Sequence, residues 1–416
     1  MNKEKISKRS LILAWGLYDL ANQFFALNII SLYFVRWVTI EKGLPEIFYS
    51  IAFGISTFLV AVSTPILGII SDLLNRRMPF LIILTLLSII FTMILGISKN
   101  VIVALIFFAI ANFGCQAAIV FYNALLPNIA SRDKIGIVSG FGRMLGYSGA
   151  LLALYLIKPI VLKSGYQATF FPTSILFLIF ALPCMIFIKD KNPTKVKVNL
   201  LSFFKKEKAL AIFNTLKTVF SNRENPDLIN FLKACFFGLC TVNVIIIFMS
   251  VYATSVFKLS ESQVINLIAF STLFAILGSL LSGYVSDRIG ARRSIRVIFI
   301  LWMLCLAMGA LAKHATLYWI VGSLVGLSLG STWTVLRAFA VQLVPVERMG
   351  EVFGLFNLVS YLSAIVGSLS WGLILLVLLP LGEIRYRMAL FSLNVFFFVG
   401  FIFLLRIPQR KTAKDA

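Results

Sequence analysis

The sequence predicts an all-α membrane protein, with 12 transmembrane helices in two pseudo-symmetric six-helix bundles. Three observations carry this reading. First, 60% of the 416 residues are hydrophobic and the mean hydropathy is +0.97, against about 45–50% apolar residues in a soluble domain. Phe alone occurs 39 times and only 13% of residues are charged. No soluble core of this size hides that much apolar surface, so lipid is the solvent for much of it. Second, the apolar residues gather in runs long enough, at 1.5 Å per residue, to cross a hydrocarbon core of roughly 30 Å. Third, short motifs repeat about 215 positions apart, half the length of the chain.

The runs of the first bundle (1–188) fall near 11–35, 47–71, 79–97, 101–126, 137–158 and 170–188. The opening, Lys3 to Arg9 followed by Leu11 onward, has the outline of a signal peptide. The run continues past Val35, carries Asp19 and Asn22, and offers no A-x-A site, so it is read as an uncleaved first helix. The longest hydrophilic connection, 189–227, is the expected linker between the halves. Within it Ala209, Ile212, Phe213, Leu216, Val219 and Phe220 share one helical face, with Asn214, Lys217 and Thr218 opposite. That pattern predicts an amphipathic helix in the cytoplasmic headgroup layer; a helix that docks on a partner is the alternative. The second bundle (228–416) has runs near 230–256, 264–286, 295–312, 316–344, 352–379 and 388–406.

The net charge of +22 would suggest nucleic acid in a soluble protein. Here the cations sit mostly between apolar runs. With both termini cytoplasmic, about 26 of the 38 Lys and Arg fall inside and about nine outside, as the positive-inside rule requires. No nucleic-acid partner is expected; the lipid bilayer is. Cys115, Cys184, Cys235, Cys240 and Cys305 all lie within apolar runs without zinc-ligand spacing, and read as small packing residues. No metal or cofactor is expected. No phosphate-binding loop occurs, so ATP is not expected to act directly.

The repeat is most visible after the second and eighth runs. Gly68, Ser71, Asp72, Arg76 and Arg77 are echoed by Gly283, Ser286, Asp287, Arg288, Gly290, Arg292 and Arg293. Glycine permits a tight turn. An Asp there can sit at the positive end of a neighbouring helix and pair with an Arg, a contact that can form in one state and break in another. The alternative is a basic loop placed by topology alone. Leu126-Pro127 and Val344-Pro345, and Phe141-Gly142 and Phe353-Gly354, are further echoes.

These paired loops resemble the signature loop of the major facilitator superfamily, and the resemblance covers nearly the whole chain. Tyr18, Asp19, Ala21, Asn22 and Phe25 are similar to the helix-1 opening of one branch. Tyr122 to Pro127 resemble its helix-4 end, Ser139, Gly140, Gly142, Gly146, Tyr147 and Gly149 its helix-5 run, and Arg337, Pro345, Glu351, Phe353 and Gly354 its helix 10–11 junction. That branch is the vacuole-effluxer-like family, linked in fungi to autophagy and amino-acid export, with many bacterial relatives. Leu20 stands where the branch carries Trp and Gln23 where it carries Ser, while Arg143 and Tyr361 replace an apolar or aromatic residue and a Lys. The resemblance implies the major facilitator fold in a bacterial inner membrane. It also implies a secondary or facilitative transporter of a small polar solute, with amino-acid export favoured.

An ionisable side chain at membrane depth costs roughly 2.5–3.5 kcal/mol or more, so it faces protein or a water-filled cavity. Asp19 is the clearest case, beside Tyr18, Asn22 and Gln23 on the first helix. It is either a structural carboxylate or a group for substrate contact, gating or proton carriage. Arg143 and Arg337 stand at comparable depth, and pairing of Asp19 with one of them would close the cytoplasmic side. Asn112, Gln116 and Asn123 share a face of helix 4; Asn243, Trp333 and Asn357 are the candidates from helices 7, 10 and 11. Inter-helix hydrogen bonding is the alternative for each Asn. The cytoplasmic gate is assigned to Asp72, Arg76, Arg77, Asp287, Arg288, Arg292 and Arg293 together with Arg143 and Arg337. Gly326, Ser328 and Gly330 spell a hydrolase-like Gly-x-Ser-x-Gly without its strand-turn-helix setting. The other classes are a non-transporting membrane sensor or scaffold, which needs no polar cavity, and an intramembrane enzyme, which lacks paired catalytic groups here.

Overall fold

The computed structural model describes residues 8–74, 76–129, 135–190, 226–343 and 349–408. Among the described residues, twelve helical spans are long and apolar enough to cross a membrane, and there is no strand. The helices are α1 (Lys8–Glu41), α2 (Glu46–Leu74), α3 (Met78–Leu95), α4 (Val101–Ala124), α5 (Ile135–Ser164) and α6 (Phe170–Phe187). They continue with α7 (Pro226–Phe257), α8 (Glu261–Ile289), α9 (Ala291–Leu311), α10 (Ala315–Leu343), α11 (Met349–Val377) and α12 (Ile384–Leu405). The amphipathic helix expected within 209–220 lies outside the described residues.

Local chemistry sets several of the boundaries. Asn100 opens α4, its side chain accepting from the amides of Ile102 and Val103 at 2.9 and 3.3 Å, which satisfies donors that have no partner within the helix. Ser260 and Gln263 form a reciprocal capping box at the start of α8. Gly290, at φ +85°, makes the sharp break between α8 and α9 in a conformation that a side chain would resist. The first helix runs beyond the predicted Val35. It includes two stretches of wider π-type turns, Ala26–Leu32 and Trp37–Glu41. Arg36, which the charge count assigns to an outside loop, is instead fully buried within α1, its guanidinium 5.3 Å above the Tyr166 ring. An aromatic group of Phe34, Trp37, Phe108 and Phe170 surrounds this stretch and supplies the packing that keeps it helical.

The chain divides into two compact units, Met1–Lys205 and Lys206–Ala416. In the first, α1 packs on α5 and α6, α2 on α4, and α3 on α4 and α6. In the second, α7 packs on α11 and α12, α8 on α10, and α9 on α10 and α12. The same order of pairing therefore recurs six helices later, the packing counterpart of the repeated sequence motifs.

Glycine sets the closest of these approaches. A β-carbon on Gly330 would lie 1.9 Å from the Ala275 carbonyl oxygen, one on Gly326 2.0 Å from that of Ser271, and one on Gly278 2.2 Å from that of Leu327. The backbones of α8 and α10 therefore touch along a small-residue seam. Ser328, between two of these glycines, is fully buried and bonds back to the Leu324 carbonyl at 2.7 Å. The Gly-x-Ser-x-Gly run is a packing element of α10.

Asp190, just past α6, caps a distant helix. Its carboxylate accepts from the amides of Arg77 (2.9 Å) and Met78 (3.2 Å) at the start of α3, where carboxylate charge and helix dipole also attract. Arg77 in turn donates from Nη1 to the Ala124 carbonyl at the end of α4, 2.6 Å away. One residue pair thus ties together the ends of α3, α4 and α6.

Two stability effects are expected in detergent-solubilised protein. Gly330→Ala forces α8 and α10 apart and costs about 1–3 kcal/mol or more, whereas Gly283→Ala, whose added carbon would meet nothing nearer than 3.8 Å, leaves the melting temperature nearly unchanged. Asp190→Ala removes a cap worth about 1 kcal/mol, and Asp190→Asn recovers part of it.

Candidate functional site

The polar group predicted on α1 is buried. Tyr18 is wholly enclosed, and Asp19 and Asn22 are buried one and four residues further along. The Thr85 hydroxyl gives its hydrogen to the Leu81 carbonyl at 2.7 Å, so Tyr18 is the donor in the 2.5 Å contact between Tyr18 Oη and Thr85 Oγ1. Tyr122 from α4 stacks on both Trp15 and Tyr18, with ring centroids 4.6 and 4.9 Å away. Trp15 also donates its indole N–H to the Tyr122 carbonyl at 3.2 Å. These contacts fix α1 against α3 and α4 around an aromatic stack.

The side of this stack towards α5 is lined by glycine. A β-carbon on Gly142 would lie 3.4 Å from the Tyr122 hydroxyl, and one on Gly146 3.4 Å from the Asp19 carboxyl carbon. The β-carbon on Gly142 would meet the Trp15 ring more closely still, at 2.6 Å, so successive turns of α5 present bare backbone to the Trp15–Tyr122 stack and to a carboxylate. The Tyr122 hydroxyl lies in the fields of both Asp19 and Arg143. It is buried with no hydrogen-bond partner among the described residues, as is Nδ2 of Asn22. Asn22 Oδ1 accepts only a long thiol contact from Cys115, 3.8 Å. Such atoms recur elsewhere in the chain, Trp37 Nε1 and Trp371 Nε1 among them, and each marks a place where a water or a ligand group can complete the bonding.

Of the helix-4 amides, Asn112 bonds away from this group. Asn112 is fully buried and donates to Ser56 Oγ on α2 at 2.7 Å, an inter-helix bond. Gln116 is half-buried and Asn123 exposed. The face of α4 that meets α1 carries Cys115 and Tyr122 instead. Arg143 is exposed on α5.

In the second unit, Asn243 on α7 bonds the Leu239 carbonyl at 2.8 Å and reaches Ser363 Oγ on α11 at 3.4 Å. Trp333 on α10 is half-buried and meets Phe356 of α11 edge-on at 6.3 Å. Asn357 and Arg337 are exposed. Among the loop residues, Arg288 stacks 4.2 Å over the Tyr284 ring, Arg76 and Arg293 are exposed and Arg292 is half-buried. The side chains of Asp72 and Asp287 lie outside what is described.

Sequence reasoning missed Trp15, Thr85 and Asp190. Trp15 and Thr85 sit in apolar runs where nothing local distinguishes them, and Asp190 acts on an amide 113 residues away. Tyr18→Phe deletes one buried hydrogen bond while Thr85 keeps its own to Leu81, so a loss of about 0.5–1.5 kcal/mol is expected in thermal unfolding. A loss above about 3 kcal/mol would mean that the hydroxyl is part of a larger network.

The sequence model of the Major Facilitator Superfamily matches residues 17–368. The chain is 25% identical over 425 residues to the uncharacterized MFS-type transporter YxiO of Bacillus subtilis (strain 168), across 97% of this chain and 95% of that one. Among solved structures it is similar to a bacterial homologue of the human lysosomal transporter Spinster, with TM-score 0.75 and 13% identity over 96% of this chain and 97% of that one. It is similar also to the nucleoside transporter NupG, with TM-score 0.74 and 14% identity over 97% of this chain and 99% of that one. At these identities the two structures show a shared fold alone. With a family match across most of its length and twelve membrane-spanning helices packed in that fold, this integral membrane protein belongs to the Major Facilitator Superfamily of membrane transporters.

Proposed function

We propose that this protein is a secondary or facilitative transporter that moves a small polar solute across a bacterial inner membrane by alternating access, with both termini cytoplasmic. The observation that carries the reading is the buried group on α1. Asp19 lies over Gly146 while Tyr122 and Asn22 hold donors without partners among the described residues. Buried donors left without a partner at membrane depth are costly in a purely structural role. They are repaid if a solute with its own donors and acceptors visits them. An amino acid has the matching chemistry, an ammonium for Asp19 and a carboxylate for the phenol and amide donors. The resemblance to the vacuole-effluxer-like branch favours the same cargo and the export direction. In this reading Tyr18, Asp19, Asn22 and Tyr122 are the solute-contacting candidates of the first unit, and Asn243, Trp333 and Asn357 those of the second, each unit taken by itself. The basic loops around Asp72 and Asp287 gate the cytoplasmic side, and Asp19 carries a proton where transport is coupled to a pH gradient.

Flux of labelled amino acids in proteoliposomes, with and without an imposed pH gradient, tests this. The wild type is expected to move at least one member of the panel. Asp19→Asn is expected to lower that flux about tenfold or more, in line with the loss of one buried charge-assisted bond, and to abolish its response to the gradient. Wild-type vesicles that move no solute in any panel would favour the sensor or scaffold. Asp19→Asn protein with undiminished flux would remove Asp19 from the path.

A further inference from the structure

We propose that the second unit carries a binding site for the phosphate headgroup of an anionic phospholipid where the starts of α7 and α9 meet the end of α12. These helix ends lie on one membrane face, because successive helices alternate direction. Four cations converge there. Arg296 of α9 donates from Nη2 to the Leu404 and Leu405 carbonyls at 2.9 and 3.4 Å. Arg292, one turn earlier, shares its electrostatic environment. Lys233 of α7 and Arg406 at the end of α12 flank the Phe403 ring, 5.5 and 5.3 Å from its centroid. The buried Asp227 carboxylate acts on Arg292, which leaves this described group net positive.

Capping of α12 explains only part of this arrangement. Arg296 reaches the terminal carbonyls, as a cation at a helix C-terminus should. The Nε atoms of Arg292 and Arg296 are buried without a partner among the described residues. Repulsion among the cations is also left standing. An acceptor with several oxygens and a negative charge answers both, and phosphate suits guanidinium forks.

The surface below the cations identifies the source of that phosphate. Val297, Ile300 and Leu304 form one stripe of α9 and are exposed by 57%, 43% and 55%. Arg293 and Arg296 stand one turn before Val297 and Ile300 on that stripe. Phe398 and Leu405 of α12 are exposed by 57% and 52%. A cationic rim on an exposed apolar wall fits a headgroup with its acyl chains, whereas a soluble anion would leave the wall unused. A basic pocket between helix ends is the recognised physical form of such sites.

The test uses the full chain in non-ionic detergent. Thermal unfolding and native mass spectrometry are followed with dioleoylphosphatidylglycerol, with dioleoylphosphatidylcholine of identical chains, or with inorganic phosphate. Phosphatidylglycerol is expected to be retained and to raise the melting temperature by several degrees beyond phosphatidylcholine, while inorganic phosphate has no effect. Lys233→Gln, Arg292→Gln and Arg406→Gln together should erase the preference, with about fivefold weaker binding for each cation removed. Arg406→Gln alone, at the exposed end of α12, should show the single fivefold step and serves if the triple variant does not fold. Equal retention of the two lipids, or an undiminished preference in the variants, overturns the proposal. Protection by inorganic phosphate as strong as by phosphatidylglycerol also overturns it, in favour of a soluble-anion site.

Discussion

Lipid offers no hydrogen bonds, and this single constraint organises both units. Every polar atom within the membrane must find its partner inside the protein. Many of the serine and threonine hydroxyls do so locally. Ser50, Thr64, Thr85, Thr92, Thr272, Ser328 and Thr332 each return to the carbonyl four residues earlier at 2.7–3.0 Å. A bond of that kind requires no neighbour, so these residues are tolerated anywhere along an apolar helix. Longer polar side chains need help from another helix, and they receive it at defined seams: Asn112 from Ser56, Asn28 from Thr173, Trp302 from Thr332. Some buried atoms still go without a partner among the described residues, Trp37 Nε1, Trp371 Nε1 and the Oδ1 atoms of Asn28 and Asn112 among them; what distinguishes the donors of Asn22 and Tyr122 is that they lie beside the membrane-depth carboxylate.

The same constraint explains the glycines. Without a hydrophobic driving force between helices in lipid, association depends on close van der Waals contact. Gly278, Gly326 and Gly330 bring α8 and α10 to backbone contact, and Gly149 brings α5 to 2.6 Å, as a β-carbon would measure it, from the Leu20 carbonyl of α1. Gly142 and Gly146 extend that second seam, but there the space they leave is filled by the Trp15–Tyr122 stack and the Asp19 carboxylate. One run of small residues therefore both packs a helix pair and opens room for polar chemistry, which is why α1 and α5 together frame the candidate site.

Much of the architecture was legible before any coordinates. Twelve apolar runs and the motif echo between Asp72 and Asp287 lead to the all-helical fold. The end of α1 was not legible, because its extension to Glu41 goes with Phe108 of α4 and Phe170 of α6 packing on Phe34 and Trp37, and with Tyr166, just before α6, lying against Arg36. In the site, Tyr18, Asp19 and Asn22 could be singled out because polar residues in an apolar run are conspicuous by type. Asn112 was equally conspicuous, yet the structure gives it to Ser56 of α2. Helical spacing groups residues on a face but does not say which helix that face meets.

Composition and hydropathy by themselves determined that this chain lives in lipid as a bundle of helices, because the cost of exposing apolar surface to water, or polar backbone to lipid, depends on residue type and run length alone. The tertiary structure decided which buried polar groups satisfy one another and which are left waiting. It turned a hydrolase-like motif into a packing seam, recruited Asp190 to cap a helix 113 residues away in sequence, and set Asp19 over bare glycine beside an unpartnered phenol. Hydrogen-bond partners and close approaches are properties of helices meeting in space, and a linear pattern carries their candidates without their pairing.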